Sequence, residues 1–201
     1  DHWALQVPAL AKHFQVLVLD SRGHGRSTRD ARAFSYHQMA EDVVALLDHR
    51  KLAKASLVGW SDGGAIALDL AIHHPGRVER LVAYATNYDL SGMRSGGGPH
   101  ATFASYFQRC TADHQRLSPT PKDFQPFVDD LRKMWRSQPQ FTKAQLTGIT
   151  APTLVLDGEH DEIIKQDHVR ELARLIPGAR LHLVPEASHF AHWQRPEAFN
   201  A

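Results

Sequence analysis

A chain of 201 residues is long enough to bury a sizeable core as one domain, with room for an inserted subdomain. Its formal charge is +1 and its basic residues are scattered, so nothing favours nucleic acid or an anionic membrane surface as a partner. A lone cysteine, Cys110, excludes a disulfide framework, and no apolar run approaches the ~20 residues of a membrane span. No signal peptide opens the chain, and we expect a cytoplasmic protein.

The first part of the chain predicts one short helix and one strand. Residues 3–12 carry a weak helical pattern that Pro8 interrupts, so at most a short turn of helix follows that proline. Residues 14–20 form an apolar run that predicts a buried strand ending in an acid. The polar loop 21–27 is glycine-rich but lacks a phosphate-binding signature, so we interpret it as a structural turn rather than a nucleotide site.

A helix is predicted next, because Ser35 followed by Gln38 fits a capping box and an apolar face continues to about Arg50. A short apolar strand then leads into the motif Gly59-Trp60-Ser61-Asp62-Gly63, which has the form G-x-S-x-G. The pattern alone also fits a plain glycine-rich turn, but the strand before it and the helix after it favour a more specific interpretation.

A serine on a tight strand-to-helix turn is held in a strained backbone conformation with its hydroxyl exposed, as a nucleophile requires. We expect the small residues two before and two after Ser61, Gly59 and Gly63, to let the chain close that tightly. The backbone N–H of Asp62 would lie at the N-terminus of the following helix, where it could stabilise an oxyanion.

The helix after Ser61 ends at His73-His74, which precede Pro75-Gly76. The paired histidines could be read as metal ligands. Adjacent positions on a helix point apart, however, so we do not expect these two to bind one ion.

Strand 78–85 is followed by a break in the pattern. Residues 87–100 are polar and glycine-rich, with Gly96-Gly97-Gly98-Pro99, and 101–146 carry two or three helical patterns without strand signals. We predict a helical cap subdomain at 87–146, inserted into an α/β core of residues 1–86 and 147–201. Most of its aromatic side chains should pack on the main body and a minority should line a substrate pocket.

The alternation then resumes with a strand at 152–158, a helix at about 165–176, a strand at 180–185 and a helix near Pro196. Such alternation favours a doubly wound, mostly parallel sheet. Active groups in these sheets gather at the carboxyl ends of strands. The candidates there are, in chain order, Ser61, Asp161 and His189.

This arrangement resembles the α/β-hydrolase fold family. Residues 18–27 are similar to its D-x-R-G-x-G-x-S stretch, 59–64 to its nucleophile elbow, 158–161 to its G-x-x-D turn and 187–190 to its histidine loop. The elbow Gly-Trp-Ser-Asp-Gly-Gly, with Leu-His-Leu-Val-Pro-Glu before the histidine, is similar to valacyclovir-hydrolase-like bacterial and animal esterases.

The resemblance implies a serine hydrolase that needs neither cofactor nor metal and acts on a small carboxylic ester, lactone or activated amide. Ser61 would form an acyl-enzyme, His189 would move the proton, and Asp161 would orient the imidazole. Two alternatives remain open. One is a non-catalytic ligand-binding or inactive truncated member of the fold. The other is a cofactor-free perhydrolase, haloperoxidase or C–C bond hydrolase that uses the same three residues.

Some neighbouring residues compete for these roles. Asp157 and Glu159 lie close to Asp161 in the sequence, and His192 follows His189 as a neighbour or a surface group. In enzymes of the valacyclovir-hydrolase type, the acid after the nucleophile is associated with binding the α-amino group of the substrate. Carried over to Asp62, with Trp60 beside it, this implies amino-acid esters. The alternative is a solvent-facing acid favoured by the helix dipole.

The resemblance is incomplete at the start of the chain. The family has a strand that lies between those predicted at 14–20 and 56–60 and leads to a second oxyanion donor. No such strand precedes Trp3. We therefore expect an internal portion of a longer enzyme that lacks the N-terminal strands of the fold. Alone it should be poorly stable and weakly active, because two strands lose a shared neighbour.

Overall fold

A computed structural model describes residues 2–94 and 101–201, and a four-stranded parallel sheet lies at its centre. The strands are β1 Ala55–Trp60, β2 Val78–Tyr84, β3 Thr153–Gly158 and β4 Arg180–Val184. They are adjacent in chain order, β1-β2-β3-β4, and every neighbouring pair runs parallel. All four carboxyl ends therefore meet at one edge, and the predicted parallel α/β sheet is confirmed.

Helices occupy most of the remaining chain. They are α1 Val7–Leu10, α2 Tyr36–His49, α3 Asp62–His73, α4 Ala101–Leu117, α5 Phe124–Trp135, α6 Lys143–Thr147, α7 Gln166–Leu175, α8 Ala191–Gln194 and α9 Pro196–Asn200, with 3₁₀ turns at Pro75–Arg77 and Leu90–Gly92. The predicted cap of α2 is present, since the Ser35 hydroxyl oxygen accepts the Gln38 N–H at 3.1 Å. Within the described residues, none of these helices combines the length and apolarity that crossing a bilayer requires.

Both faces of the sheet are covered, because successive strand residues point to opposite sides. Leu81 and Ala83 of β2 belong to the main core, which includes buried residues of α2, α3, α5 and α7. Tyr84 belongs to a smaller cluster on the other face, against which Trp3 and Phe199 pack. Helical and loop segments on both faces give the doubly wound arrangement that the alternation predicted.

The prediction of a buried strand at residues 14–20 is wrong. Residues 15–20 form no strand, and the side chains of Phe14 and Val18 are 67% and 56% exposed. Strand β1 is the edge of the sheet, and no described residue pairs with its outer side. An apolar run becomes a buried strand only where a neighbouring strand satisfies its backbone groups, and no strand in the described part of the chain pairs with this run.

The loop that follows, residues 21–27, is held by its own polar groups. The Asp20 carboxylate accepts the Arg26 N–H at 3.0 Å, and Ser27 Oγ donates to the Asp20 carbonyl at 2.6 Å. A Cβ at Gly25, where φ is +50°, would lie 2.4 Å from the Asp20 carboxyl carbon. Arg22 anchors the loop to α2 through Asp42, at 2.5 and 2.6 Å. These contacts agree with the interpretation of a structural turn.

The segment predicted as a cap, 87–146, contains α4, α5 and α6. In its described part the β contacts are isolated bridges, Asp89 with Gln140 and Met93 with Ile164. Phe127 and Leu131 of α5 are buried in the main core, so this helix packs directly on the body of the protein. The glycine run at 96–98 and Pro99 lie outside the described residues. The division into core and cap remains a prediction.

Candidate active site

Ser61 lies between β1 and α3 in a backbone conformation that few residues with a Cβ adopt. Its φ is +54° and its ψ is −118°. Its N–H donates to the Tyr84 carbonyl at 2.8 Å, which holds the turn against β2. The next residue, Asp62, begins α3, and amides of a first helical turn have no acceptor within the helix. The turn therefore presents a hydroxyl beside the positive end of a helix dipole.

The two glycines of the motif differ in their surroundings. A Cβ on Gly59 would lie 2.1 Å from the Gly63 carbonyl oxygen, so the close approach of β1 and α3 requires glycine there. A Cβ on Gly63 would meet no atom within 4 Å. The expectation that both glycines allow the tight turn is right for Gly59 and wrong for Gly63. The second close approach occurs at Gly64, where a Cβ would lie 2.6 Å from the Cβ of Thr86.

Asp161 and His189 are in contact although 28 residues separate them. Asp161 lies in the turn after β3, His189 lies after β4, and the imidazole Nδ1 is 2.7 Å from the carboxylate Oδ2. Both residues are buried, at 1% and 3% exposure. The other carboxylate oxygen accepts the N–H groups of Ile163 and Ile164 at 2.6 and 2.7 Å. Burial opposes the ionisation of Asp161, but His189 and these hydrogen bonds keep its pKa below the usual range.

The backbone of His189 is hydrogen-bonded to side chains at the ends of β1 and β2, next to Ser61. The His189 carbonyl accepts the Trp60 indole N–H at 3.0 Å and the Tyr84 hydroxyl at 2.8 Å. Trp60 directly precedes Ser61, and Tyr84 is the residue of β2 that pairs with Trp60. The described hydrogen bonds include none between the Ser61 hydroxyl and the His189 imidazole. Such bonds are often loose in the absence of substrate.

The competing acids do not contact the imidazole. Asp157 is fully buried in β3, and one of its carboxyl oxygens accepts the Gly158 N–H at 2.7 Å. Burial and the charge of Asp161 raise the pKa of Asp157 well above its usual value, which favours its neutral form. Glu159 instead accepts the Glu186 N–H at 3.1 Å. Of Asp157, Glu159 and Asp161, it is the Asp161 carboxylate that contacts the His189 imidazole.

Glu162 is a site residue that the sequence did not reveal. Its carboxylate accepts the backbone N–H of His189 at 3.1 Å, while its other oxygen is buried without a partner. The residue directly follows Asp161 in the same turn, so its position beside the acid was visible, but its contact with the histidine loop was not.

His192 is a buried neighbour of the site rather than a surface group. It is 0% exposed, and its Nδ1 lies 3.1 Å from the Tyr84 hydroxyl. Because that hydroxyl already donates to the His189 carbonyl, the Nδ1 of His192 must be the donor to Tyr84. Burial, with a further contribution from nearby His2, lowers the pKa of His192 to about 3. The ring is therefore neutral in the folded protein.

The side chain of Asp62 is not free in solvent. One carboxylate oxygen accepts the Tyr36 hydroxyl at 2.7 Å, and the other accepts the Trp135 indole N–H at 2.8 Å. Burial and the charge of Asp62 raise the pKa of Tyr36, so both partners are neutral donors. The sequence placed Trp135 in an aromatic pattern but did not connect it, or Tyr36, with Asp62.

The helices of segment 87–146 reach both neighbours of Ser61. Trp135 of α5 binds Asp62, and Tyr106 of α4 packs its ring 5.5 Å from that of Trp60 and 5.2 Å from that of Phe190. The Trp60 indole N–H is occupied by His189, so Trp60 offers an aromatic surface rather than a donor. Helices α4 and α5 therefore contact the residues on either side of Ser61.

Several known hydrolases are similar to this chain in sequence or in fold. The human serine hydrolase BPHL is 29% identical over 94% of this chain and 68% of its own length. The 2-hydroxymuconate semialdehyde hydrolase of Pseudomonas sp. (strain CF600) is 29% identical over 98% of this chain and 78% of its own length. The crystal structure of the enol-lactonase from Burkholderia xenovorans LB400 is 30% identical, with a TM-score of 0.76 over 99% of this chain and 83% of that one.

A sequence profile of the Alpha/beta hydrolase family matches residues 1–201, the whole chain. The match therefore includes the elbow at Ser61 and the loops that hold Asp161 and His189. The resemblance to this family is confirmed, and the chain belongs to the alpha/beta hydrolase family, as an enzyme of the hydrolase class.

Proposed function

We propose that Ser61, His189 and Asp161 form a catalytic triad that hydrolyses a small carboxylic ester, lactone or activated amide through an acyl-enzyme. The observation that carries the proposal is the buried 2.7 Å contact between His189 and Asp161, in a loop tied to Trp60 beside the strained Ser61. A histidine fixed by a carboxylate and anchored next to a half-buried serine has the parts of an activated nucleophile.

The reaction would use each group in turn. His189 donates its Nδ1 proton to Asp161, which leaves the Nε2 lone pair to accept the Ser61 proton as the oxygen attacks the acyl carbon. Asp161 stabilises the imidazolium, and the Asp62 N–H donates to the oxyanion. The proton then passes to the leaving group. A water, activated by the same imidazole, releases the acid from Ser61.

A second candidate is cleavage of a C–C bond beside a carbonyl by the same three residues. It is favoured by the similarity to 2-hydroxymuconate semialdehyde hydrolase, which spans 98% of this chain. The similarity to an enol-lactonase favours the ester or lactone reaction instead. Turnover of an aryl acetate, compared with that of a dienol ketone of the semialdehyde type, would separate the two reactions.

We also infer that Asp62 favours substrates with an ammonium group near the ester. Its hydrogen-bond partners, Tyr36 and Trp135, are neutral, so its negative charge is not cancelled by them. A carboxylate has about four acceptor positions, which leaves room for a further donor. An aminoacyl ester should be cleaved faster than its N-acetyl form, and Asp62→Asn should remove most of that preference.

Labelling with a fluorophosphonate probe tests the catalytic proposal directly. Wild-type protein and a matched control, Ser137→Ala, should label, and Ser61→Ala should not. Ser137 lies just after α5, and its hydroxyl donates to the backbone carbonyls of Lys133 and Met134. Persistent labelling of Ser61→Ala would move the nucleophile elsewhere, and an unlabelled wild type in the full-length protein would favour the non-catalytic alternative.

A further inference from the structure

A second cluster of ionisable side chains lies between α2 and α3. His37 is in the first turn of α2, and Asp69 and His73 are one turn apart on α3. The Nδ1 atoms of His37 and His73 lie 2.9 and 3.0 Å from the same oxygen, Oδ1 of Asp69. The nearest ligand atoms of the three residues all fall within 4.8 Å of one another. Two imidazoles thus converge on one carboxylate oxygen.

This cluster is separate from the site at Ser61. Ser61 precedes the first residue of α3, and His73 is the last. Twelve residues of helix place them about 18 Å apart along the axis. The cluster therefore takes no part in the proposed reaction, and any function it has must be its own.

The three residue types and their burial suit a borderline divalent cation. Histidine nitrogens and a carboxylate oxygen bind Zn²⁺ at about 2.0–2.2 Å, which puts tetrahedral ligands roughly 3.3–3.5 Å apart. The observed separations of 2.9 and 3.0 Å need only a small opening. Asp69 is 4% exposed, whereas the side chains of His37 and His73 are 57% and 38% exposed. A cation could therefore enter from solvent and meet a buried charge.

A second observation concerns the outer nitrogen of His37. Its Nε2 lies 3.9 Å from Oε1 of Glu41, one turn further along α2. Metal-binding histidines usually present their other ring nitrogen to a carboxylate, which fixes the ring and increases its basicity. The same Glu41 oxygen lies 2.5 Å from Nε2 of His74. His73 and His74 contact different acids, Asp69 and Glu41, and His73 meets His37 from the neighbouring helix.

We propose that His37, Asp69 and His73 form a binding site for a divalent cation of the Zn²⁺ type, with water completing its coordination, that joins α2 to α3. This departs from the expectation from sequence that the chain binds no metal. In the absence of an ion, both imidazoles donate their Nδ1 protons to Asp69. An ion bound at these Nδ1 atoms would leave the proton of each neutral ring on its Nε2 atom.

Calorimetric titration of the purified protein with Zn²⁺ tests the proposal, with His37→Gln and His73→Gln as variants. His49→Gln is the matched control, because His49 is an exposed histidine at the other end of α2. Wild type and the control should bind one ion per chain with the same Kd. Each site variant should weaken binding at least tenfold. At a Zn²⁺ concentration 100 times the wild-type Kd, Tm should rise by about 5–10 °C in wild type and by about half as much, or less, in the variants.

Both site variants change side chains that are partly exposed, so loss of folding is not expected, and circular dichroism would verify it. The spectrum of the Co²⁺-loaded protein provides a second readout, since intense visible bands report tetrahedral coordination. The proposal is overturned if the wild-type protein binds no Zn²⁺ even when the Zn²⁺ concentration reaches 100 times that of the protein. It is equally overturned if His37→Gln and His73→Gln bind as tightly as His49→Gln, because the ion would then lie on other histidines.

Discussion

The chain contains the sequence Leu-Val-Leu-Asp twice, and the two copies have opposite fates. Residues 154–157 form the middle of β3, where Val155 is 1% exposed. Residues 17–20 lie outside the sheet, and Val18 is 56% exposed. Strand β3 has β2 on one side and β4 on the other, whereas the first copy has no strand beside it among the described residues. Identical local sequence therefore becomes a buried strand only where neighbours supply hydrogen bonds and cover.

The acids that end the two copies differ in the same way. Asp20 is partly exposed and accepts hydrogen bonds from its own loop, whereas Asp157 is fully buried and its pKa is raised. The buried copy also fixes the start of the turn that carries Asp161. A segment that is packed on both sides can hold a functional side chain in place, and one that lies on the surface cannot.

The largest effect is expected at Asp161, which lies in the turn that follows the buried copy. Asp161→Asn should lower kcat for an activated ester by about 10³–10⁴-fold, because the amide would hold His189 in the wrong tautomer. Glu159→Gln, in the same turn but without contact to the imidazole, should stay within about twofold. Steady-state kinetics on the full-length enzyme would check both. Equal losses in the two variants would remove the special role of Asp161.

The turn at Ser61 offers the next comparison, because Gly59 and Gly63 of the G-x-S-x-G motif have identical chemistry but different surroundings. Gly59→Ala should destabilise the fold by about 3 kcal/mol or more, since its Cβ would lie 2.1 Å from a backbone oxygen. Gly63→Ala should be neutral or stabilise α3 by about 0.5 kcal/mol, because its Cβ enters open space. Urea unfolding would measure both. A large loss for Gly63→Ala would contradict this account of the turn.

Lowering the pH should reduce the free energy of unfolding, because the folded protein holds buried histidines in their neutral form. His192 has a pKa of about 3 in the folded protein and about 6.5 when unfolded, so between these values the unfolded chain binds more protons. The contribution of His192 to the free energy of unfolding is therefore fully present above pH 6.5. It declines as the pH falls towards 3, by about 3 kcal/mol at pH 4. His2, whose pKa is lowered to about 4, acts in the same direction.

The slope of Tm against pH between 7 and 4 would measure this effect. His192→Asn should flatten it, whatever its effect on Tm at pH 7. His13→Gln is the control, because His13 is exposed beside the unpaired 14–20 run. An unchanged slope in His192→Asn would show that the acid sensitivity arises elsewhere.

The smallest effect provides the most direct test of the two copies. Val155→Ala should cost about 2 kcal/mol, since it removes fully buried methyl groups, and Val18→Ala should cost less than about 0.5 kcal/mol. Thermal or urea unfolding would compare them. Equal costs would mean that residues 17–20 are packed in solution after all.

Local sequence patterns predicted many of the helices, strands and turns of this protein. The alternation of apolar runs and helical patterns predicted β1–β4 and α2, α3 and α7, and the cap at Ser35 predicted where α2 begins. The spacing around Ser61 predicted its turn. These features depend on propensities and spacings within a few residues, which a single sequence displays.

Other features depended on contacts between distant parts of the chain. Only the tertiary structure decided which Leu-Val-Leu-Asp copy enters the sheet, that Asp62 is held by Tyr36 and Trp135, and that His192 is buried. It alone brought His37 to Asp69 and His73. Burial and hydrogen-bond pairing are set by whichever segments fold alongside one another, and no local pattern specifies that partner.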